Sequence, residues 1–339
     1  MPNKLTHRVR SLVERGERIT REDCRDLFEV KDLIAMAKLA RVPRERRFGR
    51  DAFYFDAPVS DYQSGNAGAV RCRWNDGDTL ALWSERIRAF GKNETPSVAL
   101  ISAGFISRLS AAEHLSHADV IRSLAAAGSI RITGEDAELF DPAFRAAHPC
   151  NGISADEWLA VHRAAHGLGL KTTASMIYGT SDYPAEYAAH LEAIRSLQDE
   201  TGGFAAFAPL AIHNHGVEEF FLAVPTAAQT LRITAISRIF LDTIPHILAV
   251  PALVTLEIAN VALGYGADTL DITIATEDVH TVERGGGAGR HDLSDLAILD
   301  ADSSPVPSVE KVRGRMEEAR FNPVPLTLLF EPMLQAQAV

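Results

Sequence analysis

Three carboxyl groups, Glu135, Asp136 and Glu138, fall within four positions just after Thr133. Like charges held that close shift one another's pKa, which is one way to keep a carboxyl as a general acid or to poise it as a general base. The same acids also suit a helix N-terminus, whose dipole favours them. His213 and His215 stand two residues apart at the end of an apolar run. On an extended strand both imidazoles then lie on one side. The pair can serve as a base near neutral pH or touch a substrate. It can also hold a divalent metal with a carboxylate as third ligand, or simply make structural hydrogen bonds; we assign no metal. Tyr178 can wall a pocket or donate its hydroxyl. Arg145 can clamp a substrate carboxylate with two parallel bonds, or form a surface salt bridge. Asp271 and Glu277 lie on and after a late apolar stretch, and a buried carboxylate at 271 needs a partner. The catalytic candidates are therefore His213, His215, Glu138, Glu135 and Asp136. The substrate-contact candidates are Tyr178, Arg145, Thr133, Glu277 and Asp271.

These groups must be positioned by alternating strands and helices. Residues 1–50 read as a helical segment, entered by the capping-box pattern Thr20-Arg-Glu-Asp23. From residue 52 onward, extended runs at 52–55, 98–101, 129–132, 172–178, 204–212, 247–250 and 269–274 alternate with helical patterns. Among the helical patterns are 79–90, 117–127, 154–168, 184–198, 227–241 and 253–263. The run at 204–212 is almost wholly apolar, as in a parallel strand buried on both faces. Repeated βα units predict an α/β chain with a TIM-type (βα) barrel over 51–280. Working groups then belong at the C-terminal ends of the strands. Residues 281–339 read as an extension packing on the barrel, with a helix at 309–319 and a Pro-rich tail. The glycine run 285–289 has no Walker lysine and reads as a loop. His162 and His166 share a helix face away from the strand tips and read as structural.

The chain has 339 residues, 46% hydrophobic and 23% charged, with a formal net charge of −11. That charge argues against a nucleic-acid backbone as partner. Its three cysteines, Cys24, Cys72 and Cys150, are far apart and odd in number, which suggests neither a disulfide framework nor a zinc knuckle. No apolar run reaches the roughly 18 residues of a membrane span. The first ten residues lack an apolar signal core. A cytoplasmic protein with a small-molecule substrate is expected, without membrane or nucleic acid, and with a second copy of itself as the one macromolecular partner considered.

One segment carries a family resemblance. Pro58 to Trp74, PVSDYQSGNAGAVRCRW, resembles the cluster loop of the aminofutalosine synthase group of radical S-adenosylmethionine (SAM) enzymes, roughly TNxCxxxCxFC. Aligned on Cys72, the other two cysteines fall on Gly68 and Asn75. The stretches GEDAELFDP (134–142), ISADEWLAVHRAAH (153–166), MIYG (176–179), LQDETGGF (197–204), PLAIH (209–213), IPHI (244–247) and VALGYGAD (261–268) are similar to the same family. Together they span most of residues 10–280. The resemblance implies a radical-SAM-like barrel. Between Trp74 and Pro96 about one βα unit of the family barrel is missing, with the turn that holds the SAM amino group.

One thiolate does not anchor a [4Fe–4S] cluster. On this reading both cluster and SAM are expected to be absent, and no other cofactor is assigned. The family's radical addition of a deoxyadenosyl group is then not carried over. The expected function is a cluster-free, SAM-independent enzyme doing lyase, isomerase or hydrolase chemistry by acid–base groups. Its substrate would be a small carboxylate, aromatic or nucleoside-like metabolite. The alternatives are a non-catalytic binding partner of an active relative, or a polar SAM-dependent methyl transfer.

Overall fold

The computed structural model describes residues 2–55, 59–61, 68–92, 97–147, 153–179, 184–211, 225–273 and 307–333. Three helices come first: α1 (Pro2–Arg15), α2 (Arg21–Leu27) and α3 (Leu33–Phe48). Strands β1 (Asp51–Phe55), β2 (Val59–Asp61) and β3 (Ala69–Cys72) follow, then α4 (Leu80–Phe90) and β4 (Val98–Ile101). Next are α5 (Ala103–Glu113), α6 (His117–Ala127), β5 (Ile130–Ile132), α7 (Pro142–Ala147), α8 (Ala155–Gly167) and β6 (Thr172–Tyr178). The barrel continues through α9 (Pro184–Thr201), β7 (Phe204–Ala211), α10 (Ala227–Phe240) and β8 (His246–Ala249). It ends with α11 (Pro251–Val254), α12 (Leu256–Ala262) and β9 (Thr269–Leu270), before α13 (Val309–Glu318) and β10 (Asn322–Leu326).

Local chemistry sets many of these boundaries. Helices α4, α5, α6, α8 and α10 each begin after a Ser or Thr whose side chain accepts from the third helical N–H. The helix expected over 253–263 is broken because Thr255 turns left-handed, with φ 75°, and caps α12 with its own hydroxyl. Strand β9 stops at Leu270, where the expected strand ran on to 274. There the Asp271 carboxylate folds onto the Thr273 N–H, 2.8 Å away.

The strands are parallel and lie in two sheets, β10-β1-β9-β8-β7-β6 and β2-β3-β4-β5. This is the α/β, radical-SAM-like barrel, open rather than closed into one ring. Between β1 and β4 the described residues contain one helix, α4. Side chains alternate across the barrel wall. Ala52, Tyr54, Leu270 and Ile272 pack outward on Val312 and Met316 of α13. Phe53, Phe55, Leu100, Leu326 and Leu328 form a separate inner cluster. Asp271 lies between Leu270 and Ile272 and so faces the lumen, with a relative exposure of 1%. No helix among the described residues is long and apolar enough to cross a membrane.

Candidate active site

The loop after β5 carries the three acids, and the structure sends them apart. Gly134 starts it where no Cβ fits, since one would stand 2.7 Å from the Ala174 carbonyl carbon. The Ser175 hydroxyl donates to the Gly134 carbonyl at 2.5 Å. Glu135 forms an ion pair with buried Arg71 on β3. Asp136, at φ 68°, accepts from the Gly104 N–H at 2.7 Å and thereby caps α5. Glu138, at φ 36°, has its carboxylate 4.0 Å from Arg145 and its carbonyl bonded to the Ile177 N–H. Arg145 does not reach into an open site. Its guanidinium donates to the carbonyls of Ala137 and Ile153 at 2.8 and 2.7 Å, and at longer range to those of Asp136 and Leu139. It is the brace of the acidic loop. Thr133 donates its N–H to the Ile101 carbonyl and joins β5 to β4.

Tyr178 is buried at the tip of β6, and its hydroxyl donates to Thr230 of α10 at 2.9 Å. Burial pushes its phenol pKa up. It also lines a cleft of about 210 Å³ with Tyr187, Gln229, Arg232 and Lys31. His213, His215 and Glu277 lie outside the described residues. Among the described residues no group of three His, Cys, Asp or Glu is placed to hold a metal ion.

The inner wall adds residues that sequence reading missed. Arg131 points inward from β5 and is 4% exposed. It donates to Thr173 on β6 at 3.0 Å and to the Leu328 carbonyl at 3.3 Å, and it lies against the rings of Phe55 and Phe330. Burial lowers its pKa to about 10, with Asp271 pulling the other way, so it is a cation at neutral pH. The signal for it was an arginine between two isoleucines in a three-residue strand. Asp271 Oδ1 accepts from Thr273, while its Oδ2 is buried and has no hydrogen-bond partner. Arg131 and Asp271 thus place two buried polar groups in the lumen, one of them with an unused acceptor.

No protein-family model matches the chain. The aminodeoxyfutalosine synthase of Thermus thermophilus is 30% identical over 315 residues, covering 79% of this chain and 84% of that protein. The chain belongs to the aminofutalosine synthase family. The Streptomyces coelicolor aminodeoxyfutalosine synthase is 28% identical and covers 90% of this chain and 92% of its own length. In fold, the FeFe-hydrogenase maturase HydG from Carboxydothermus hydrogenoformans superposes with a TM-score of 0.67 at 12% identity, over 97% of this chain and 81% of that one.

Family membership corrects one expectation. Radical SAM enzymes use a [4Fe–4S] cluster and SAM, so the expected absence of both is withdrawn. Cys72 is the cysteine of the cluster-like segment, and it is buried. Its Sγ is buried 4.0 Å from the Val70 carbonyl, and burial pushes its thiol up to about 12. A [4Fe–4S] cluster is held by several thiolates, and with Gly68 and Asn75 at the other two aligned positions the described residues of this segment do not by themselves fit the group.

Proposed function

We propose that this member of the aminofutalosine synthase family is an enzyme that binds a small carboxylate-bearing, aromatic or nucleoside-like metabolite in the barrel lumen. Asp271 is its acid–base group. The observation that supports the reading is the buried, partnerless Oδ2 of Asp271. A buried acceptor left without a donor is costly, about 1–3 kcal/mol. A substrate O–H or N–H fits that vacancy, and the carboxylate can then take its proton. Thr273 fixes the other oxygen, so the group is aimed before the substrate arrives. Arg131 supplies positive charge opposite to it, where little water screens the field.

The test is Asp271→Asn, with a metabolite extract as substrate pool and mass spectrometry as readout. Asparagine keeps the oxygen that Thr273 needs but cannot take up a proton. Turnover should fall roughly 10²- to 10⁴-fold while the thermal midpoint stays within a few degrees. Undiminished turnover by this variant would overturn the reading.

A further inference from the structure

The chain that follows β10 folds back on itself. Leu326 bridges Pro332 in antiparallel fashion, the Thr327 N–H donates to the Glu331 carbonyl at 2.8 Å, and the Phe330 N–H donates to the Thr327 carbonyl at 3.0 Å. The tip of this hairpin enters the barrel. The Phe330 ring stands 4.5 Å from the Arg131 guanidinium, edge-on to Phe55 at 5.3 Å and stacked on His246 at 5.7 Å. Leu328 is buried in the inner cluster, and its carbonyl accepts from Arg131. On the outer side Leu329 and Met333 are 39% and 41% exposed.

Phe330 sits at φ 64°. A bulky aromatic residue in the left-handed region is strained, and such strain persists only where the surroundings impose it. Here the imposing contacts are the ring slot on Arg131 and the turn's own hydrogen bonds, from the Phe330 N–H to the Thr327 carbonyl and from the Leu329 and Glu331 N–H groups to the Thr327 hydroxyl. The arrangement is that of an occupant, held by the same cation and rings that would hold a planar ligand.

We infer that the hairpin of residues 326–333 is an autoinhibitory plug: the Phe330 ring fills the slot between Arg131, Phe55 and His246, and the lumen opens when the hairpin swings out. The inference rests on the reading of the lumen as the active site. Thr327 is the pivot, because the strand pairing of β10 with β1 ends at Leu326.

Two variants test it, Phe330→Gly in the full chain and a chain ending at Leu326. The glycine removes the ring and suits the left-handed backbone. The probe is the planar anion 8-anilinonaphthalene-1-sulfonate, titrated by fluorescence at fixed salt. Both variants should bind it at least ten-fold more tightly than the parent chain, and adding Arg131→Met to Phe330→Gly should abolish the gain. Equal binding by parent and Phe330→Gly, or a gain that survives Arg131→Met, would overturn the plug. If the shortened chain does not fold, Phe330→Gly decides alone. Failure here leaves the Asp271→Asn turnover result untouched, whereas failure of that result removes the enzyme reading, and with it the inhibitory role, while the dye still reads whether the Phe330 ring occupies the slot.

Discussion

Asp136 illustrates how a side chain that looks reactive in sequence is spent on architecture. Its carboxylate lies against the Gly104 N–H at the start of α5, and an added Cβ on Gly104 would stand 2.7 Å from it. Removing a cap of this kind costs roughly 1–2 kcal/mol. Asp136→Ala should therefore lower the unfolding free energy from urea denaturation by that amount, whereas a stability equal to the parent's would show that the cap contributes nothing. Glu135→Ala carries a different consequence, because it removes a carboxylate paired with the buried Arg71, and breaking a buried pair costs about 3–5 kcal/mol. Glu135 is about one-third exposed, so the expected loss is smaller, about 1–2 kcal/mol. Proximity in sequence was the basis for reading the three acids as one interacting set. The two left-handed residues at 136 and 138 send them in different directions, and no composition signal announces a left-handed Asp or Glu. Asp271 was read as a substrate contact from its place in an apolar stretch, where a buried carboxylate needs a partner, and the structure does bury it.

At the scale of the element, β6 is backed by histidines that the fold keeps neutral. His162 and His166 on α8 both reach the Thr172 hydroxyl, at 2.9 and 2.8 Å. His190 on α9 accepts from the Phe140 N–H and lies 2.9 Å from the Ser175 carbonyl. Burial lowers His166 to about 4 and His190 to about 3, and holds His162 well below the usual value. An unfolded histidine titrates near 6.5. Below that pH the unfolded chain takes up protons that the folded chain refuses, so stability is complete above about 6.5 and falls as the pH drops. The slope reaches about 1.4 kcal/mol per pH unit for each histidine. Urea denaturation at pH 7.5 and 5.0 measures it; His166→Gln should remove about one proton's share, and a pH-independent midpoint would contradict the assignment. The structural role of His162 and His166 followed from their helix spacing. Strand β10 did not follow from its sequence, because Asn322-Pro-Val-Pro-Leu326 reads as a tail. The strand survives because Asn322 donates its N–H to the carbonyl of Arg50, the residue just before β1. By the two-residue period, Pro323 and Pro325 then face the open edge, where no N–H is needed.

For the whole molecule, the alternation of apolar runs was enough to foretell the barrel, since each buried parallel strand leaves a continuous hydrophobic signature. Its seams were not foretold. They depend on long-range ties such as Arg131 to Thr173, and Arg238 of α10 to Asp268 beside β9. Asp268 is fully buried and is shared by Arg238, His246 and the Ile247 N–H. Asp268→Asn should cost about 3–5 kcal/mol by leaving Arg238 uncompensated, read as a fall in thermal midpoint.

Strand β1 has a consequence for how the chain is made. Its two partners, β9 and β10, both come late in synthesis, and Asn322 bonds back to Asp51 across 271 positions. While the ribosome works through the intervening helices, a finished apolar strand waits with both edges unpaired. Open edges of this kind recruit other chains. The yield of refolded protein should therefore fall steeply as its concentration rises, and a nascent chain should stay sensitive to proteases until residue 326 has cleared the exit tunnel.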